Sequence, residues 1–222
     1  FNAKKIKEQI RPVNVTGDEG NDLIGKNWSG RLLKTIFDPN YSPLSREDFL
    51  IHYYAGSEFK ITHSRKTGQA CLRQTYEYMN FIKTFGPTRQ RPVKIIIAGF
   101  SNGGAMAIDT QLYLGEKDHK VNLVIAIDPV VKASRFLQSR KYGPYKRKHE
   151  NTKRLISLYQ REDIGSLLLL PLRGHPVKDA DENILVHCEN SDGMGCSGLL
   201  NHTQIVNSTL VVETFINELM AL

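Results

Sequence analysis

The segment "KIIIAGFSNGGAMAI", residues 94–108, carries the residue types of a nucleophile turn. Ser101 stands between Gly99 and Gly103, shortly after three isoleucines and before a run of small and apolar residues. A G-x-S-x-G spacing is weak evidence by itself, and gains weight where a buried strand passes into a helix. At such a junction the serine takes a strained backbone conformation in a tight turn. Gly99 and Gly103 then remove the Cβ atoms that would strike the neighbouring strand and helix. The hydroxyl is lifted above the C-terminal edge of the sheet, where open α/β sheets form their clefts. A helix starting at Asn102 aims its N–H groups and positive dipole end at the same spot, an oxyanion site. The chemistry implied is attack of Ser101 on a carbonyl carbon; the plainer reading is a glycine-rich packing turn.

A serine needs a base, and the base needs an orienting acid. In this architecture the chain order is nucleophile, acid, histidine. Of seven histidines, only His175, His187 and His202 come late enough. His187 lies inside an expected strand, and His175 in "RGHPV" is a loop competitor. His202 in "NHTQ" falls between the last strand and the last helix, from where a loop can fold back over Ser101, so it is the expected base. For the acid, Asp163 in "LYQREDIG" follows a strand end and is the expected choice. Asp128, closing the strand "AIDPV", is the other placement, with Glu162, Asp181 and Asp192 as further candidates.

These residues require a frame of alternating strands and helices. Strands are expected at 11–17, 48–56, 93–99, 122–128, 154–160 and 183–189. Helices are expected at 21–37, 68–86, 102–114 and 208–222. The helix at 68–86 places Leu72, Tyr76, Met79 and Ile82 on one face and stops at Gly86-Pro87. The run 93–99 is apolar on both faces, as at the centre of a parallel sheet. The fold class is therefore α/β, a single domain over 1–222 with a mainly parallel sheet of about six strands and helices on both faces, a three-layer sandwich.

Strand, "GFSNGG", helix, a later strand with an acid, and "NHTQ" before a final helix together resemble the α/β-hydrolase superfamily. "GFSNGG" after "YYAG" looks like the lipase-type branch, which includes bacterial phospholipase effectors with a "GFSxG" elbow. The resemblance implies a minimal hydrolase core and a serine esterase acting on lipid or acyl esters through an acyl-enzyme, without metal or cofactor. It implies backbone N–H groups of Asn102 and of the turn "VTGDEGND", at Gly17 or Asp18, as oxyanion donors. No "HGG" oxyanion motif is present, and the usual two antiparallel strands before Arg11 are missing.

The chain has 222 residues, 40% of them hydrophobic, and a net charge of +7. Residues 132–154, "KASRFLQSRKYGPYKRKHENTKR", hold nine Lys or Arg against one Glu, with Phe136, Tyr142 and Tyr145 interleaved. By resemblance this connection is where a lid or cap is inserted, bordering the substrate mouth. Physically it suits an anionic membrane surface, each cation near the surface contributing about 1 kcal/mol; the plainer reading is a solvated crossover. No nucleic-acid-binding fold accompanies it, and carboxylate clusters or a phosphate loop, which a nuclease or kinase needs, are absent from the sequence. A non-catalytic hydrolase-like module binding an anionic surface or ligand is the competing expectation, and it predicts His202 too far from Ser101. No apolar run reaches the roughly 18 residues that cross a bilayer. The start at Phe1 without an apolar signal core is expected of a processed or trimmed chain. Sequons at Asn14, Asn27, Asn201 and Asn207 tilt the expectation towards secretion or export, although a glycan on Asn201 would obstruct His202. Three cysteines make no disulfide framework; Cys188 and Cys196 are near enough in sequence to pair or to stay free.

Overall fold

The computed structural model describes residues 32, 34–45, 80, 82–84, 86–88, 93–129, 147–161, 174–187, 202 and 204–222. The chain divides into two compact units, Phe1–Thr62 and His63–Leu222. In the first, Leu32 and Ile36, one helical turn apart, are buried. The chain then turns at Asp38, whose carboxylate accepts the Asn40 N–H and side-chain amide, each at 2.9 Å.

The second unit is built on a four-stranded, all-parallel sheet in the order β1 (Ile96–Phe100), β2 (Val121–Ile127), β3 (Thr152–Tyr159), β4 (Glu182–Leu185). Helix α1 (Asn102–Gly115) joins β1 to β2, and α2 (Thr209–Met220) closes the chain after a 3-10 turn, Ile205–Asn207. This is the α/β class expected, with every described strand within a few residues of its predicted position. The strands expected at 11–17 and 48–56 lie outside the described residues.

Continuous apolar runs become strands buried on both faces, because a parallel sheet is covered on both sides. In β2, Leu123, Val124, Ile125, Ala126 and Ile127 are all fully buried. Alternation along the strand sends Val124 and Ala126 into a cluster with Ala107, Ile108 and Leu114 of α1 and Leu155 of β3, and turns Leu123, Ile125 and Ile127 to the other face. Each fully buried Leu or Ile stabilises the fold by about 1.5–3 kcal/mol relative to exposure. The most central of the described strands are β2 and β3. β1, expected at the centre, is one edge of the four, and its Ile96 and Ile97 are half-buried.

Polar clamps fasten α1 to the β2–β3 connection. The buried Gln111 side chain donates to the Arg147 carbonyl at 2.8 Å and accepts the His149 N–H at 3.0 Å and the Thr152 hydroxyl at 2.6 Å. The described part of the basic segment lies at the strand-start edge: Arg147 bridges to Lys178, and residues 152–154 already belong to β3. A parallel connection must cross from the ends of the strands to their starts. The described end of the segment, residues 147–154, therefore lies away from the edge where Ser101 sits. Two of its cations are spent internally. Lys148 pairs with Asp181 at 2.7 Å, and Arg154 grips Glu218 through two hydrogen bonds of 2.8 and 2.7 Å while also pairing with Glu182 at 2.5 Å. The two glutamates raise the Arg154 pKa above its already high ordinary value.

Asp181 supplies a test of this edge. Burial raises its pKa, but hydrogen bonds from Lys148 and the Leu155 N–H, with the charges of Lys148 and Arg154, outweigh burial and hold it below 3.8. A carboxyl with a depressed folded pKa adds stability above its unfolded pKa and loses it as pH falls through the folded value. Asp181→Asn is expected to lower stability at pH 7 by about 1 kcal/mol, since a partly exposed pair is screened. The gap between variant and wild type should close as pH falls below 3.8, read from denaturant unfolding at each pH. A gap that stays constant down to pH 3 or lower would remove the ion pair as its source.

Candidate active site

At the end of β1 the chain makes the expected elbow. Ser101 has φ 58° and ψ −124°, a left-handed conformation costing about 1–3 kcal/mol for a residue with a Cβ. It is held there from both sides: its N–H donates to the Ile127 carbonyl at 2.9 Å, and its carbonyl accepts the Ala105 N–H at 3.2 Å. A Cβ on Gly99 would overlap the carbonyl of Gly103, so strand end and first helical turn approach closely only because residue 99 is glycine. The second crowded glycine is Gly104, not Gly103. A Cβ at 104 would lie 3.0 Å from the Ile127 carbonyl oxygen and 3.1 Å from that of Gly99, whereas at 103 it meets nothing within 4 Å among the described residues. Ser101 occupies the N-cap of α1, where a serine hydroxyl commonly bonds the helix's own N–H groups. Here it makes no cap bond.

The hydroxyl is directed instead to His202. Nε2 of His202 lies 2.7 Å from Ser101 Oγ, and Nδ1 lies 2.5 Å from Oδ2 of Asp128. The imidazole is buried, directly ahead of the 3-10 turn, and the Phe100 ring stacks on it with centroids 4.7 Å apart and planes at 27°. A carboxylate only accepts, so Nδ1 carries the proton and donates to Asp128. Nε2 is then the lone-pair nitrogen and accepts the Ser101 hydroxyl, the arrangement a general base requires.

Asp128 follows β2 immediately and is fully buried, with φ 41°. Its N–H donates to the Leu158 carbonyl at 2.6 Å, as the Ser101 N–H does to Ile127 one strand earlier. The two left-handed residues therefore cap adjacent strands in step. A buried carboxylate is costly unless its lone pairs are satisfied. Oδ1 accepts the N–H groups of Gly174 at 2.7 Å and Gln160 at 3.2 Å; Oδ2 accepts the Gln160 side-chain amide at 3.1 Å and His202 Nδ1.

The carboxylate that meets His202 is Asp128, the second placement weighed from the sequence. The structure sets Asp128 against His202, while the expected Asp163 lies outside the described residues, as do Glu162, Asp192, Cys188 and Cys196. The physical reason is the end of β3. Its last residue is followed by Gln160, whose amide and N–H hold the carboxylate supplied by the neighbouring strand. Asp181 sits at the opposite, strand-start edge beside Lys148. His175 and His187 are exposed, and the His175 carbonyl accepts the Ser157 hydroxyl at 3.4 Å. Asn102 begins α1 as expected, and the first N–H groups of a helix have no partner within it. Gly17 and Asp18 lie outside the described residues. Sequence reasoning missed Gln160, Gly174 and Phe100 as members of the site. Only for Phe100, adjacent to the serine, was there a local signal. Among the described residues no group of three His, Cys, Asp or Glu side chains could hold a metal ion. No protein-family model, curated protein or solved structure matches this chain.

Proposed function

We propose that this protein is a serine hydrolase of carboxylic esters, with Ser101 as nucleophile, His202 as base and Asp128 as the orienting acid. The observation that carries the reading is the unbroken line Ser101 Oγ–His202 Nε2, 2.7 Å, and His202 Nδ1–Asp128 Oδ2, 2.5 Å. A non-catalytic module expects His202 displaced from Ser101, and this contact speaks against it.

Ser101 Oγ attacks the ester carbonyl carbon as its proton passes to His202 Nε2. The cation formed on the imidazole is balanced by Asp128. The oxyanion is held by the Asn102 N–H at the start of α1, a donor of a kind that contributes about 2.7–4 kcal/mol in other enzymes. Collapse breaks the bond to the alcohol oxygen, which takes the proton from Nε2 and leaves an acyl group on Ser101. Water then attacks this ester, gives its proton to His202, and releases the acid with Ser101 restored. The sequence calls on no metal or cofactor.

The same reading carries the fuller α/β-hydrolase fold, a three-layer sandwich of about six strands. The half-buried apolar residues of β1 support a sheet that continues beyond it. Lipid or acyl esters are the substrates, and the basic segment 132–154 is the attachment to an anionic surface. Among the described residues no helix is long and apolar enough to cross a membrane. The test is a fluorophosphonate probe followed by intact mass and peptide mapping. A single adduct on Ser101 is expected. No adduct on folded protein, with anionic vesicles present as well as without, would overturn the reading.

A further inference from the structure

We propose that Phe100 is a positioning residue for His202, and that its ring face supports the imidazolium formed when Ser101 gives up its proton. Hydrogen bonds at Nδ1 and Nε2 fix two points of the imidazole but by themselves leave it free to rock about the line joining them. The stack of Phe100, at 4.7 Å and 27°, closes that freedom. Phe100 is the last residue of β1 and Ser101 the next, so one strand end fixes both the nucleophile and the plane of its base. The ring of His202 is faced by the Asp128 carboxylate from the end of β2, itself held by the Gln160 amide, and by the Ser101 hydroxyl from the end of β1. An aromatic face is the negative part of the ring quadrupole, so it attracts the cationic imidazolium more than the neutral ring. The stack therefore strengthens as the proton arrives. The rate consequence rests on the hydrolase reading; the hold on the ring does not.

The test compares wild type with Phe100→Leu, which fills the space without a ring face, and Phe100→Tyr, which keeps the face. The first readout is the pH profile of the acylation rate. In Phe100→Leu the rate should fall about 3–30-fold and its acid limb should move to lower pH by about 0.5–1.5 units, because the protonated base has lost its support. A purely structural loss lowers the rate and leaves the limb where it was. The second readout is the downfield proton resonance of the His202 Nδ1–H, expected sharp in wild type and broadened by exchange in Phe100→Leu. Phe100→Tyr should restore both. If Phe100→Leu does not fold, Phe100→Met takes its place with the same expectations. A wild type that takes no label sinks the hydrolase reading and leaves the resonance to decide. A labelled wild type whose Phe100→Leu variant keeps both limb and resonance sinks the role of Phe100.

Discussion

Asp128→Asn is expected to fold and to acylate Ser101 about 10³–10⁴-fold more slowly than wild type, approaching the background left by Ser101→Ala. Four donors converge on the Asp128 carboxylate: the N–H groups of Gly174 and Gln160, the Gln160 side-chain amide, and His202 Nδ1. An asparagine has one acceptor oxygen, so its NH₂ must face donors whichever way it turns. Turned towards His202, it drives the proton to Nε2, which can then no longer accept from Ser101. Turned towards Gly174 and Gln160, it opposes two backbone N–H groups in a buried site, at a cost of about 1–3 kcal/mol for each group left unsatisfied. Both orientations remove the base or loosen it. The rate of fluorophosphonate labelling measures the effect, with circular dichroism to establish that the variant is folded. A folded variant that labels at the wild-type rate would take Asp128 out of the reaction and return the acid to a residue such as Asp163.

Gly174→Ala should cost about 10²-fold or more in the same assay without touching any reacting group, because displacement of a positioning partner by as little as 1 Å has effects of this size. A Cβ at 174 would overlap Asp128 Oδ1 and crowd its Cα. The carboxylate cannot swing aside while its other three donors hold it. Either residue 174 retreats, taking its N–H away from Oδ1, or Asp128 turns and loses His202. Forcing one methyl group into this packed site is expected to lower stability by about 1–3 kcal/mol, read from denaturant midpoints. An alanine variant with unchanged labelling and stability would show that the loop at 174 does not hold the acid.

The two residues proposed to make and break bonds, which the structure brings into contact, were legible because their signals are local. Ser101 is announced by an apolar run, a glycine, and an immediate helix start, all within a few residues. His202 follows from chain order and from a place between the last strand and the last helix. The alternation of strand and helix likewise depends on local periodicity, and the described strands lie within a few residues of their expected positions. Gly103 marks where local reasoning ended: the G-x-S-x-G spacing points to it, yet Gly104 is the residue pressed against the Ile127 and Gly99 carbonyls.

The acid could not be read the same way. Asp128 and Asp163 both follow expected strand ends, and position along the chain favoured Asp163, whereas the structure sets Asp128 against His202. The choice is made by register, with the Ser101 N–H on the Ile127 carbonyl and the Asp128 N–H on that of Leu158. This steps the ends of β1, β2 and β3 so that the carboxylate after β2 meets His202 and the amide after β3 meets the carboxylate. Gln160 and Gly174 lie 32 and 46 residues from Asp128, and no local pattern links them to it. The basic segment shows the same division. Its charge is plain in the sequence, but the pairing of Lys148 with Asp181 and of Arg154 with Glu218 and Glu182 depends on which strands lie side by side. Residue types and spacing along short stretches of chain determined the α/β class and pointed to Ser101 and His202, because those signals depend on local conformation. Which carboxylate faces His202, its cradle and the disposition of the charges were decided by the sheet, because hydrogen-bond register brings together residues that the sequence holds far apart.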